Sequence, residues 1–154
     1  MAGDVLQSSV MSEDAPKESQ KFINLGVVFN NRGEVLMIRR VKEEDGRDGT
    51  KLTWAFPGGK QRLNESRADC VKREVLAETG YEIKQEREIS MRVHPNFLVL
   101  VVYHLCSLVS PKPVAEPQEP HEVGEIKWIK PGELEKLITT DLDPGVRKIL
   151  GISN

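Results

Sequence analysis

Cysteine is scarce in this chain. There are two among 154 residues, Cys70 and Cys106, and neither has a CxxC or a histidine at ligand spacing beside it. That argues against a zinc site, and both read as core or surface thiols. Also missing is any apolar run near the roughly 18 residues that a bilayer span requires. The opening stretch MAGDVLQSSVMSEDAPKESQ has neither the basic start nor the apolar centre of a secretory leader. The expectation is a cytoplasmic protein without a membrane partner. Charge is balanced too, with 22 Lys and Arg against 24 Asp and Glu. No global positive field draws duplex nucleic acid or an anionic membrane, so a phosphate-bearing ligand has to be held locally.

What is present fits one domain, since about 100–200 residues per domain is usual. Residues 1–21 are rich in Ser, Glu and Asp and lack periodicity, which predicts a flexible tail before a domain spanning 22–154. Phe22 to Phe29 and Val35 to Arg40 are β-type runs flanking Asn30-Asn-Arg-Gly-Glu34, a hairpin signature. Lys42 to Lys51 (KEEDGRDGTK) reads as a charged surface loop, and Thr53 to Phe56 as a short strand stopped by Pro57-Gly58-Gly59. Tyr81 to Val93 and Phe97 to Leu108 read as two strands joined through His94-Pro95-Asn96. Ser110 to Glu122 holds four of the nine prolines and reads as a loop. A strand over Glu125–Ile129, a short helix over Pro131–Ile138 and a last helix capped by Asp143-Pro144 follow.

The stretch GKQRLNESRADCVKREVLAETG carries the chemistry. Ser66 to Asp69 fits a capping box and Gly80 a left-handed C-terminal stop, which predicts a helix over Arg67–Thr79. Ala68, Val71, Val75 and Thr79 form its packing stripe. Glu74 and Glu78 are one turn apart on another side, and like charges so placed cost roughly 0.2–0.5 kcal/mol unless a cation offsets them. Magnesium, which takes a few carboxylate oxygens plus waters and phosphates, is such a cation, with Glu65 as a further oxygen donor. Gly58-Gly59 lets main chain approach a ligand closely and frees a carbonyl for the metal. Arg73 is placed to orient a carboxylate through a two-pronged pair.

The spacing Gly59, Glu65, Arg73-Glu74-Val75, Ala77-Glu78, Gly80 resembles the signature box of the Nudix family, hydrolases of nucleoside diphosphates linked to another group. Two positions depart from it. Ala77 stands where the family has the first Glu of a pair, and Tyr81 where it has an aliphatic residue. The resemblance implies an α/β/α sandwich around a mixed central β-sheet and a loop-helix-loop that binds Mg²⁺ or Mn²⁺. It implies Glu74 and Glu78 as metal ligands and catalytic groups, with the Gly58 carbonyl and Glu65 also at the metal and Arg73 as the orienter. A methyl group at 77 coordinates nothing, so a substitute carboxylate is expected among Glu65, Glu119, Glu122 and Glu125. Glu122 ranks first, as metal ligand or base, from its spacing to Trp128.

Arg39 is preferred over Arg40 as a phosphate clamp, and Gly59 and Phe56 are candidates for substrate contact. Phe56, Trp54 and Trp128 have core packing as the alternative. His94 and His121 read more readily as polar surface than as substrate contacts. A compact domain with FPGGK before the box looks like the MutT-type branch, which converts nucleoside triphosphates to monophosphate and pyrophosphate. Pro95 keeps ADP-ribose or nucleotide-sugar pyrophosphatase as the alternative, and Ala77 keeps a non-catalytic nucleotide-binding module. The expected partner is a small-molecule nucleotide, bound by a monomer or homodimer.

Overall fold

The sheet is built outward from β1 (Phe22–Phe29), which runs parallel to β6 (Leu100–Leu108) along its whole length, Phe22 opposite Leu100 through Phe29 opposite Ser107. Both strands are covered on both faces, which is why they read as apolar runs and not as alternating ones. The computed structural model describes residues 21–45, 51–94, 98–118, 122–138 and 142–152. On one side β2 (Val35–Asp45) pairs antiparallel with β1, β3 (Lys51–Ala55) and β7 (Val123–Ile129). On the other, β5 (Ile83–Val93) closes the edge antiparallel to β6. The order is β3-β2-β1-β6-β5, with β4 (Gly58–Lys60) also on β1 and β7 also on β2. One parallel pairing among antiparallel ones makes the sheet mixed.

Helices cover both faces. α1 (Arg67–Thr79) lays Val71 and Val75 on Val28, Leu36, Ile83 and Cys106. Its limits are those expected from its caps. The Ser66 hydroxyl accepts from the Asp69 N–H at 3.1 Å, and Gly80, at φ 81°, returns its N–H to Leu76. Close approach of α1 depends on Gly26, where a Cβ would lie 3.2 Å from a Val75 methyl and 3.3 Å from one of Val71. On the opposite face a 3₁₀ helix (Pro131–Lys136) and α2 (Pro144–Leu150) bring Leu134, Val146 and Leu150 onto Val27, Val35, Met37, Val101 and Tyr103. The architecture is thus an α/β/α sandwich. Each Val, Leu or Ile buried in these two layers contributes about 1.5–3 kcal/mol.

Three local expectations are corrected. KEEDGRDGTK is not wholly loop: β2 runs through Asp45 and β3 begins at Lys51, with Glu44 opposite Leu52. Ladder hydrogen bonds need no apolar side chains, so charged residues can extend the hairpin as strand; residues 46–50 lie outside the described ones. Gly58-Gly59 does not merely stop a strand but forms β4, with Asn24 opposite Gly59 and Leu25 opposite Gly58. The expected helix over 131–138 is a 3₁₀ helix ending at Lys136, anchored by buried Leu134. The tail reading falls, up to Gln20, on residues outside the described ones, as do Pro95, Glu119 and His121. Cys70 and Cys106 are both buried thiols.

The Pro-rich connection after β6 has a structural task. Its Val114 and Ala115 N–H groups bond the Gly80 carbonyl at 2.8 and 3.3 Å, and the Gln118 N–H bonds the Ala77 carbonyl at 2.8 Å. Those acceptors at the helix end would otherwise lack protein partners within α1.

Leu36→Ala, in the layer beneath α1, is expected to lower the unfolding free energy by about 2–5 kcal/mol. A urea titration should show it as a lower midpoint at unchanged slope; a midpoint matching wild type would contradict the packing described.

Candidate active site

β4 and α1 meet through carboxylates resting on main chain. Glu78 is buried at 3% exposure, and its Oε1 accepts the Gly58 N–H at 2.9 Å. Its Oε2 stands 3.9 Å from Arg40 Nη1. One turn earlier, Glu74 lies so close to Gly59 that a Cβ there would sit 2.7 Å from its Cδ and Oε1. Gly58 is equally constrained, since a Cβ on it would meet the Asn24 carbonyl oxygen at 2.1 Å. The diglycine is therefore what lets two acids of one helix touch a neighbouring strand.

Arg73 ties the remaining acids together. Its Nε and Nη2 donate to the two oxygens of Glu65 at 2.6 and 2.9 Å, and its Nη1 donates to Glu74 Oε2 at 2.6 Å. Glu65 also accepts the Arg62 N–H at 2.9 Å. The Arg73 guanidinium beside Glu65 holds its carboxyl below the usual range, against the opposing effect of burial. The same contact raises Arg73 further above its ordinary value. Cys70, its Sγ 3.5 Å from the Gly59 carbonyl, is pushed up to about 12 by burial and is inert at neutral pH.

The structure thus brings together Gly58, Gly59, Glu65, Arg73, Glu74 and Glu78. It also brings in Arg40, and Arg39 goes elsewhere: Arg39 Nε donates to Glu125 Oε1 at 3.2 Å across the β2–β7 pairing. Adjacent strand residues point to opposite faces, and it is the even-numbered face of β2 that looks toward α1. Glu122 is exposed in the turn before β7, whose first residue, Val123, pairs with Arg40. Phe56 lies in the core with its ring edge on Tyr103. Trp54 packs partly against the same cluster. His94 closes the β5–β6 hairpin through its N–H to the Val99 carbonyl. Tyr81, the aromatic at the end of the box, packs edge-on against Trp128 and accepts its indole N–H at 3.0 Å.

Among the described residues no three His, Cys, Asp or Glu side chains converge at metal-holding distance. The donor set still fits magnesium, which is held by one or two carboxylates with waters and substrate phosphates and needs no all-protein cage. Glu74 and Glu78 supply hard oxygens on adjacent turns, and the backbone of Gly58 and Gly59 lies directly beside them.

A buried polar group that sequence reasoning missed adjoins the cluster. Asn24, Gln61 and His104 are fully enclosed, with Asn24 bonded to both of the others. The available signal was a polar residue inside each of two apolar strand runs, which burial tolerates only when it is hydrogen-bonded.

The comparisons with known proteins give the family and the fold. The NUDIX domain matches residues 23–150, and the chain belongs to the Nudix family. A Bacillus subtilis (strain 168) protein named "Putative 8-oxo-dGTP diphosphatase" is 26% identical over 108 residues, which cover 70% of this chain and 65% of that protein. This chain therefore spans less than two thirds of that relative's length. Among solved structures, the MutT protein of Methanosarcina mazei Go1 superposes with a TM-score of 0.58 at 23% identity, over 84% of this chain and 89% of that one. A Nudix hydrolase of Nitrosomonas europaea gives 0.61 at 17% identity, over 85% and 86%. Both share the fold. Among the described residues no helix is long and apolar enough to cross a membrane.

Burial lowers the His104 pKa from 6.5 to about 4. Between those values the unfolded chain binds a proton that the folded one does not, so stability is expected to fall as pH drops through that window. The Glu65 contribution is lost lower still, as pH falls below its ordinary carboxylate value. Urea midpoints measured from about pH 7 to 5 should decline in wild type and decline less in His104→Gln; equal slopes would refute this account of His104.

Proposed function

We propose that this chain is a divalent-metal-dependent pyrophosphohydrolase that cleaves a (deoxy)nucleoside triphosphate to monophosphate and pyrophosphate. The observation that carries the reading is the pair Glu74 and Glu78 seated on the Gly58-Gly59 backbone, with Arg73 bridging Glu74 to Glu65. A purely structural helix has no evident use for so many acids in contact with one another's counterions. The name of the Bacillus relative supports a nucleoside triphosphate as substrate class.

In this reading Glu74, Glu78 and the Gly58 carbonyl hold Mg²⁺ or Mn²⁺, with Glu65 bearing on it through Arg73. When bound, such an ion neutralises charge building on phosphate oxygens and acidifies a water. The protein's own residues do the rest. Arg73 keeps the Glu74 carboxylate in one orientation, and Arg40 places positive charge at the edge of the cluster where a phosphate would enter. Attack of water on a phosphorus breaks one P–O–P link, and the proton it sheds passes to a carboxylate; Glu122 is the acid assigned that role. Ala77 leaves the cluster one carboxylate short of the family pattern, and Glu122 is equally the candidate to make up the donor. Gly59 provides the open backbone at which the phosphate chain lies; Phe56, enclosed in the cluster on the opposite face of the sheet, takes the core-packing role and not substrate contact.

The test is a panel of nucleoside triphosphates, ADP-ribose and nucleotide sugars with Mg²⁺ or Mn²⁺, read by inorganic pyrophosphatase coupling for the triphosphates and by phosphatase coupling for ADP-ribose and the nucleotide sugars, whose products are phosphate monoesters. Pyrophosphate release from triphosphates is expected. Turnover confined to ADP-ribose or nucleotide sugars would change the substrate class, and none at high Mn²⁺ would refute the enzymatic reading. Glu78→Gln should lower kcat/KM by about 100-fold or more, the equivalent of the several kcal/mol a Lewis acid supplies. Ala77→Glu should lower the metal concentration giving half-maximal activity; an unchanged metal dependence would mean that no donor is missing at this position.

A further inference from the structure

Among the described residues, three polar side chains are buried beneath α1 besides the helix's own Glu78 and Thr79: Asn24 on β1, His104 on β6 and Gln61 just after β4. They form a directed chain of hydrogen bonds. Asn24 Oδ1 lies 2.8 Å from His104 Nε2, Asn24 Nδ2 donates to Gln61 Oε1 at 2.8 Å, and Gln61 Nε2 donates to the Glu65 carbonyl at 2.9 Å. An amide oxygen only accepts, so His104 carries its proton on Nε2 and its Nδ1 accepts from Gln85 Nε2 at 3.2 Å. Every donor in the series meets an acceptor, from β5 to the turn that holds Glu65.

In that turn Asn64 adopts φ 68°, the left-handed conformation that asparagine takes more readily than other residues bearing a side chain. Glu65 then directs its carboxylate to the Arg62 N–H and the Arg73 guanidinium, which reaches on to Glu74. Apolar side chains of equal volume would fill the space beneath α1 without the cost of desolvating amides. They would leave the Glu65 carbonyl without its donor.

We propose that His104, Asn24 and Gln61 are positioning residues for the carboxylate cluster: they set the Gln61–Glu65 turn and, through the Glu65–Arg73–Glu74 linkage, orient Glu74 toward a divalent cation. The inference rests on the metal-dependent reading of the site. Its test is chosen so that the two fail separately.

Gln61→Met keeps length and volume but removes the donor to Glu65. Asn24→Asp keeps shape but reverses polarity, so that Gln61 must turn its Nε2 toward position 24 and its oxygen toward the Glu65 carbonyl. Both variants, confirmed as folded by circular dichroism, should bind Mn²⁺ about 10-fold to 100-fold more weakly, measured by water-proton relaxation without nucleotide. On an active substrate they should lose kcat while KM stays within about twofold. His104→Gln, which retains a donor toward Asn24, should recover most of the affinity that His104→Phe loses. Wild-type Mn²⁺ affinity in folded Gln61→Met and Asn24→Asp overturns the proposal, and so does His104→Gln behaving no better than His104→Phe. If either Gln61→Met or Asn24→Asp fails to fold, the other decides. Weakened Mn²⁺ binding in the variants upholds the relay even if wild type hydrolyses none of the nucleotides offered, a result that would count against the enzymatic reading alone.

Discussion

Two acids of one helix resting on the main chain of a diglycine impose conditions on most of the surrounding fold. Glu78 is buried, and a buried carboxylate is tolerated only when hydrogen-bonded and paired. The Gly58 N–H and Arg40 meet that need, which requires β4 to lie against β1 and the end of β2 to turn its even face toward α1. For the helix to come near enough, Gly26 has to carry no side chain beneath Val71 and Val75. For β4 to come near enough, Gly58 has to carry none beside Asn24. Glycines at three positions thus serve one contact.

Electrostatics then sorts the acids by task. Arg73 satisfies both oxygens of Glu65 and one of Glu74, so one guanidinium fixes two carboxylates relative to each other. Such a fork is geometrically specific in a way an ammonium group is not. The repulsion between Glu74 and Glu78, a few tenths of a kcal/mol on an isolated helix, is small beside these contacts. It leaves the pair disposed toward positive charge without threatening the fold.

Much of this was legible in the sequence because its signals are local. Ser66 and Gly80 delimit α1 by hydrogen bonds within a few residues, and the acids at 65, 74 and 78 lie in the same stretch. What was not legible depends on which surfaces meet. Choosing Arg39 or Arg40 requires knowing which face of β2 looks at α1, and only the packed sheet decides that. The pairing of Gly58-Gly59 as a strand comes from β1, more than thirty residues earlier, and nothing in a Pro-Gly-Gly tripeptide announces it. The Asn24–Gln61 and Asn24–His104 bonds span 37 and 80 positions, so Asn24 and His104, taken alone, are only single polar residues inside apolar runs, and Gln61 one polar residue among several. Tyr81 departs from the family pattern, yet its ring fills an apolar place while its hydroxyl serves Trp128, a pairing across 47 positions.

The bonds from Val114, Ala115 and Gln118 to the carbonyls of Gly80 and Ala77 give the Pro-rich connection a bearing on protein engineering. Connections of this kind are usually exchanged freely between relatives, since loops tolerate changes of length. Here residues 114–118 act as a splint on the last turn of the helix that carries the acids, and prolines restrict how far that splint can bend. A chimaera that swaps this connection therefore also swaps the support under Ala77 and Glu78, and the length of the graft becomes a variable of the site as well as of the surface.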